Sequence, residues 1–250
     1  MGYRLFPGFF KAINGIHTTF YIEKLRSSID RKTSQDLSRR LGLAKPLAVM
    51  EQVHSNSVLV IKSALPKKQE IIQGVDALIT KRDDVILGVY SGDCVAALCF
   101  DQEKRVIAVF HAGYNGILSD ISGKVIYRMI HEFDSNPRDI LIQTAPAIQS
   151  CCYNVSDARD NRVQRFSSQF GDDAIVKQGS NAYLDLRYAL KRQLTKHKIS
   201  RKNMLLSREC TACSENDYPS HYRTKFIEKK KQREYTLFST IELTHDGSTT

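Results

Sequence analysis

"VILGVYSGDCVAALCFDQEKRVIAVFHAG", residues 85–113, decides the fold. Residues 85–90, 95–100 and 106–110 are three apolar runs rich in β-branched and aromatic side chains, each as long as a buried strand. "SGDC" separates the first two and "DQEKR" the next two, and neither gap has room for a helix. Strands this close in sequence argue for a mixed sheet system and against a doubly wound parallel sheet.

Working outward, "PLAVMEQVHSNSVLVI" (46–61) reads as a strand, a polar bend at residues 55–57, and a second strand. "VDALIT" (75–80) is a short apolar segment, and "ILIQTAP" (140–146) is a strand running into a loop. "TLFSTIEL" (236–243) alternates and reads as a final strand. Helical spacing predicts four helices. One starts at Thr33, with Leu37 and Leu41 four apart and Ser34 as its cap. The others cover residues 121–133, residues 157–170 with Val163, Phe166 and Phe170 on one face, and residues 184–197 with Leu186, Leu190 and Leu194. The expected class is α/β, a mixed-sheet sandwich flanked by helices. No repeat or composition shift divides the chain, which predicts one domain over residues 1–243 and a disordered tail, "THDGSTT", at 244–250.

The 250 residues suffice for a substantial core, and 42% hydrophobic with 26% charged residues is ordinary for a globular chain. No apolar run approaches membrane-spanning length, the first twenty residues lack the pattern of a signal peptide, and Phe6 breaks a myristoylation motif. A cytoplasmic location is therefore expected. The net charge of +10 is mostly scattered, and its one dense cluster, "KFIEKKKQRE" (225–234), reads as a solvated loop. No nucleic-acid-binding signature accompanies it, so no specific nucleic acid is expected as a partner.

Three residues recur in one role. His54, Cys94 and His111 each stand where an apolar strand breaks into polar or glycine-containing residues. Two imidazoles and a thiolate suit zinc, and three protein ligands leave a fourth position open, as catalytic sites do. The same donors also suit copper. Alternatively, Cys94 is a nucleophile with His111 as its base. Asp93, beside Cys94, is a candidate partner or proton acceptor, and Asp93 and Cys94 are the expected catalytic pair. Asp76 reads either as a turn carboxylate or as a working base. The remaining thiols leave three readings: a redox C-x-x-C at Cys210 and Cys213, a zinc site shared with Cys151 and Cys152, or plain burial. Consecutive cysteines chelate awkwardly in an extended segment, because their side chains point to opposite faces.

"EQVHSNSV", "GVDALIT", "SGDCVAALCFD", "VIAVFHAGYNG", "APAIQSCCYNVS" and "ECTACSENDYPSHYRTK" occur in the order, and at roughly the separations, of the polyphenol oxidoreductase (laccase-domain) family, which this chain resembles from about Glu51 to Leu243. The resemblance implies a mixed α/β sandwich related to cysteine hydrolases, with zinc, or copper in an older view, held by His54, Cys94 and His111. It implies phosphorolysis of adenosine, inosine, guanosine and methylthioadenosine, and deamination of adenosine. The implied partners are a purine nucleoside and phosphate, with no membrane, in a monomer or weak homo-oligomer. Tyr114, Asn115 and Arg223 fall at the positions expected to handle substrate or phosphate. The chain departs from the family there: "HAGYNG" replaces "HAGWRG", Ala145 and Gln149 stand at usual glycines, Arg223 is the one arginine of a usual Tyr-Arg-Arg run, and no arginine follows Thr18 and Thr19. A divergent member that has lost activity and acts as a basic interaction protein is the further alternative.

Overall fold

The computed structural model describes residues 15–24, 34–65, 71–156, 161–231 and 235–244. The elements follow in the order β1 (Ile16–Lys24), α1 (Ser34–Leu41), β2 (Leu47–Val49), β3 (Val58–Ile61), β4 (Ala77–Thr80), β5 (Ile86–Ser91), β6 (Val95–Asp101), β7 (Val106–Ala112), α2 (Tyr114–Leu118), α3 (Ile121–Phe133), β8 (Ile140–Thr144), α4 (Arg162–Phe170), β9 (Ile175–Gln178), β10 (Asn181–Leu184), α5 (Leu186–Lys196), β11 (Met204–Leu205) and β12 (Tyr235–Leu243). None of the described helices is long and apolar enough to cross a membrane.

Two mixed sheets carry the architecture. A six-stranded sheet has the order β11-β8-β6-β7-β4-β3, and a four-stranded sheet has the order β1-β12-β5-β2. β6, β7 and β8 pair antiparallel, as do β7 and β4, while β3 runs parallel to β4 and β11 parallel to β8. Side-chain alternation then builds the layers. On β6, Val95, Ala97 and Cys99 face a core shared with α2 to α5, and Ala96, Leu98 and Phe100 face a second core shared with Leu87, Val89 and Ile241 of the other sheet. A third cluster, with Leu47, Ile86 and Phe238, packs under Leu37 of α1. The central strands are covered on both faces, which is why residues 95–100 and 106–110 read as unbroken apolar runs.

The mixed-sheet sandwich is the class the sequence predicts, and the differences lie in the details. Residues 113–116, the glycine-containing stretch that follows His111, are the start of a helix: Gly113 caps α2, and the Ile117 N–H donates to its carbonyl at 2.9 Å. The helix expected at 157–170 is described from Arg162, and the one expected at 184–197 is α5, capped by the Asp185 carboxylate at the Tyr188 N–H. Ser34, expected as a cap, is the first residue of α1. Where the basic cluster expected as a loop begins, residues 223–227 form one wide π-type turn. The tail expected at 244–250 lies, apart from Thr244, outside the described residues. β1, β9, β10 and β11 are strands that the hydrophobic pattern does not announce.

Candidate functional site

Strand register assembles the site. One step beyond the Ala77–Phe110 pair of β4 and β7, Asp76 stands opposite His111, and the His111 N–H donates to the Asp76 carbonyl at 2.8 Å. One step beyond the Val95–Ala112 pair of β6 and β7, Cys94 stands opposite Gly113. β3 lies beside β4, and the Ser57 carbonyl accepts the N–H groups of Asp76 and Ala77 at 3.0 and 3.2 Å, which draws the loop carrying His54 to the same end of the sheet. Residues 40 and 17 positions apart in sequence thereby become neighbours.

Asp76 organises the group and is fully buried. Its Oδ1 lies 2.9 Å from His111 Nδ1 and accepts the His54 N–H at 3.0 Å. Its Oδ2 accepts the Ser55 N–H at 2.7 Å and the Ser55 hydroxyl at 2.8 Å. Burial works to raise this carboxyl, but the bonds from His111 and Ser55 hold it below its ordinary range. A carboxylate on Nδ1 orients the His111 ring and directs Nε2 outward. The same bonds hold a strained backbone: Gln52 and His54 sit at φ 59° and 61°, and the Gln52 amide bonds both the N–H and the carbonyl of Tyr90 at 2.8 Å. Such left-handed residues cost about 1–3 kcal/mol each and persist only where their surroundings hold them.

The ligand-capable atoms of His54, Cys94 and His111 all lie within 4.8 Å of one another. Cys94 Sγ is 4.0 Å from His54 Nε2, and the two imidazole rings meet edge to face with centroids 4.7 Å apart. A tetrahedral zinc with ordinary bond lengths spaces its N and S ligands about 3.3–3.6 Å apart, so small side-chain rotations suffice. Gly113 leaves the space: a Cβ there would stand 2.9 Å from Cys94 Sγ and 3.1 Å from His54 Cδ2. His111 is buried, Cys94 half-buried and His54 exposed, which opens the group to solvent on the His54 side. Burial pushes the Cys94 thiol up, yet hydrogen bonds from His111 and His54 bring it down to about 6. Burial likewise lowers His111, and Asp76 and Cys94 outweigh it, raising the imidazole to about 9. These opposed shifts favour a thiolate–imidazolium pair, and a divalent cation can take the place of the proton between them.

The other expected residues have defined places. Asp93 has φ 112°; its Oδ1 accepts the Thr211 hydroxyl at 2.7 Å and its Oδ2 the Tyr222 N–H at 2.6 Å, tying the late loop to the strand break before Cys94. Tyr114, half-buried on α2, stacks on Phe166 at 5.9 Å, with the Arg165 guanidinium 5.9 Å from its ring centroid. Asn115 is exposed on the first turn of α2. The Arg223 guanidinium contacts Asp217 at 2.8 Å, Glu228 at 3.7 Å and the Tyr218 carbonyl at 2.5 Å, so its charge is engaged within its own loop.

Sequence reasoning passed over three neighbours. Burial raises the Tyr153 phenol, with nearby Cys94 adding to it; its hydroxyl accepts from Arg162 Nη1 at 3.2 Å, and Arg165 follows one turn along α4. The signal for Asp76 was present in "VDALIT": a carboxylate at the mouth of a fully apolar strand must be paired if it is buried. Tyr153, Arg162 and Arg165 carry no such signal, because α4 alone brings the arginines to the site.

A family model described as multi-copper polyphenol oxidoreductase laccase matches residues 26–231. A purine nucleoside phosphorylase of Clostridium acetobutylicum is 31% identical over 179 residues, which cover 72% of this chain and 71% of that protein. Adenosine deaminase RL5, from an unknown prokaryotic organism, is 26% identical over 221 residues, covering 85% of this chain and 83% of that protein. The crystal structure of YlmD from Geobacillus stearothermophilus superposes with a TM-score of 0.75 at 20% identity, over 92% of this chain and 93% of that one, which establishes the shared fold.

Proposed function

Since this chain belongs to the multi-copper polyphenol oxidoreductase laccase family, we propose that it is a zinc-dependent enzyme of purine nucleosides. It cleaves adenosine, inosine, guanosine or methylthioadenosine with phosphate, and it deaminates adenosine. The observation that carries the reading is the S, N, N donor set of Cys94, His54 and His111, with His111 oriented by buried Asp76 and room kept by Gly113. A bound zinc supplies Lewis acidity at an open fourth position.

The chain's own residues do the rest. His54, Cys94 and His111 hold the ion, and Asp76 keeps Nδ1 of His111 occupied so that Nε2 stays aimed. Tyr114 and Tyr153 offer ring faces for a purine. Arg162 and Arg165 stand against those rings and are nearer candidates for the phosphate than Arg223, whose partners would first have to release it. That placement offsets the loss at Asn115, where family members carry arginine. Asp93 acts by positioning: its two oxygens hold Thr211 and Tyr222 against the residue that precedes Cys94. The reading takes residues 1–243 as one catalytic unit.

A fixed panel of nucleosides, incubated with and without phosphate and resolved by chromatography, tests this. Free base should form only with phosphate, inosine should form from adenosine without it, and Cys94→Ala should abolish both. A zinc-loaded protein that leaves every nucleoside unchanged contradicts the reading.

A second reading uses Cys94 as a nucleophile with His111 as its base, favoured by their hydrogen bond. It requires the metal-free protein to be the active form, and activity that rises with chelation would establish it. Stoichiometric copper with phenol oxidation would instead support an oxidase.

A further inference from the structure

A second sulfur cluster lies apart from the His54–Cys94–His111 group. Cys151 and Cys152 follow β8, and Cys210 and Cys213 follow β11, parallel strands side by side at the edge of the six-stranded sheet. The four Sγ atoms all lie within 4.8 Å of one another, with Cys151 and Cys213 3.5 Å apart. All four are free thiols. Sulfurs at the corners of a tetrahedron around zinc stand about 3.8 Å apart, given a Zn–S bond near 2.3 Å. A disulfide needs about 2.05 Å.

Local backbone geometry explains how a vicinal pair can take part. The segment is not extended. The N–H groups of Cys152 and Tyr153 both donate to the Gln149 carbonyl at 2.9 Å, closing a turn that removes the opposite-face alternation of a strand. A second turn, Ser214 N–H to Cys210 carbonyl at 3.0 Å, folds the C-x-x-C. The two are stitched by the Ala147–Cys210 bridge and by the Thr211 N–H to the Ala147 carbonyl at 3.2 Å. Backbone N–H groups of Gln149, Ala212 and Cys213 donate to the Cys210 sulfur, holding its thiol down against the burial that raises it. Burial and the neighbouring sulfurs push Cys151 and Cys152 up, Cys151 to about 12. Four thiols at this spacing cannot ionise together unless a cation balances them.

We propose that Cys151, Cys152, Cys210 and Cys213 form a closed tetrathiolate zinc site that staples the loop after β8 to the loop after β11. Each thiol gives up its proton to solvent as its sulfur binds, and no electron moves. Four sulfurs leave no open position, so the site is structural. Its mechanical target is visible. The stapled loops supply the Thr211 hydroxyl on Asp93 and the Ile148 N–H on the Asp93 carbonyl, at 2.7 and 2.9 Å, beside Cys94.

The test is zinc content by mass spectrometry on the full chain purified under reducing conditions, with Cys94→Ala as a second sample. Cys94→Ala removes the first group, and it should retain one zinc per chain. Reconstituted with cobalt(II), it should show intense thiolate-to-cobalt charge transfer and the visible bands of a tetrahedral ion. Adding Cys151→Ser or Cys213→Ser, both at exposed positions, should abolish that zinc and the charge-transfer band. In the parent, Cys151 and Cys213 should resist alkylation until a chelator is added. A Cys94→Ala protein that folds and holds no zinc overturns the proposal, as does a Cys151–Cys213 disulfide in the freshly isolated parent. The two metal assignments fail separately: a parent and a Cys94→Ala variant with equal zinc content would sink the His54–Cys94–His111 reading and leave this one standing.

Discussion

Asp76 is the residue on which the site turns. Its two oxygens take bonds from His111, His54 and Ser55, with no exposure to water. Replacing it with asparagine keeps the shape but removes an acceptor and the negative charge. Partners of this kind contribute about 10–100-fold in metal affinity. Asp76→Asn should therefore weaken zinc binding by that factor in a competition titration while retaining a cooperative unfolding transition. Asp76→Ala leaves several buried donors unpaired and should also lose about 3–5 kcal/mol in denaturant unfolding. An asparagine variant with parental zinc affinity would remove Asp76 from the site. At this scale the sequence was legible for His54, Cys94 and His111, because a polar residue ending an apolar run is conspicuous. It was ambiguous for Asp76, since a turn carboxylate and a buried one look alike until their partners are known.

Elements explain which strands the pattern revealed. β6 and β7 are apolar at every position except Asp101 and His111 because both faces are covered, and such runs stand out in any sequence. β1 does not stand out: Thr18 and Thr19 are both buried, so its hydrophobicity fails to alternate, and its place is set by pairing along all nine residues with β12. That pairing carries an electrostatic lock. Glu242 stands across from His17, 3.3 Å from its Nδ1, and 2.8 Å from Lys45 Nζ. Burial raises the Glu242 carboxyl, but His17 and Lys45 outweigh it and depress the pKa. A depressed carboxylate stabilises the fold fully above its unfolded value, about 4.3, and loses that contribution as pH falls through the folded value. Glu242→Gln should therefore lower stability at neutral pH and flatten the acid side of the stability–pH curve below about pH 4.3. Parallel curves for the two proteins would show that the lock contributes nothing.

At the scale of the whole molecule, the sheet order converts distant sequence segments into one rim. β6, β7, β4 and β3 stand side by side, so the segment before β6, the last residues of β7, and the segments before β4 and before β3 gather Cys94, His111, Asp76 and His54. The sequence showed that strands cluster without helices between them, but strand order depends on pairings between residues far apart, which no local pattern encodes. The same limit hid α4 as the bearer of Arg162 and Arg165 beside the aromatic wall, and hid the proximity of Cys151 and Cys152 to Cys210 and Cys213. The proposed chemistry depends on a cation at the rim. Anomalous scattering at the zinc edge from crystals of the zinc-loaded protein tests this directly. The prediction is a peak about 2.0–2.1 Å from Nε2 of both His54 and His111 and about 2.3 Å from Sγ of Cys94. A zinc-loaded protein with no peak among those three atoms would contradict it.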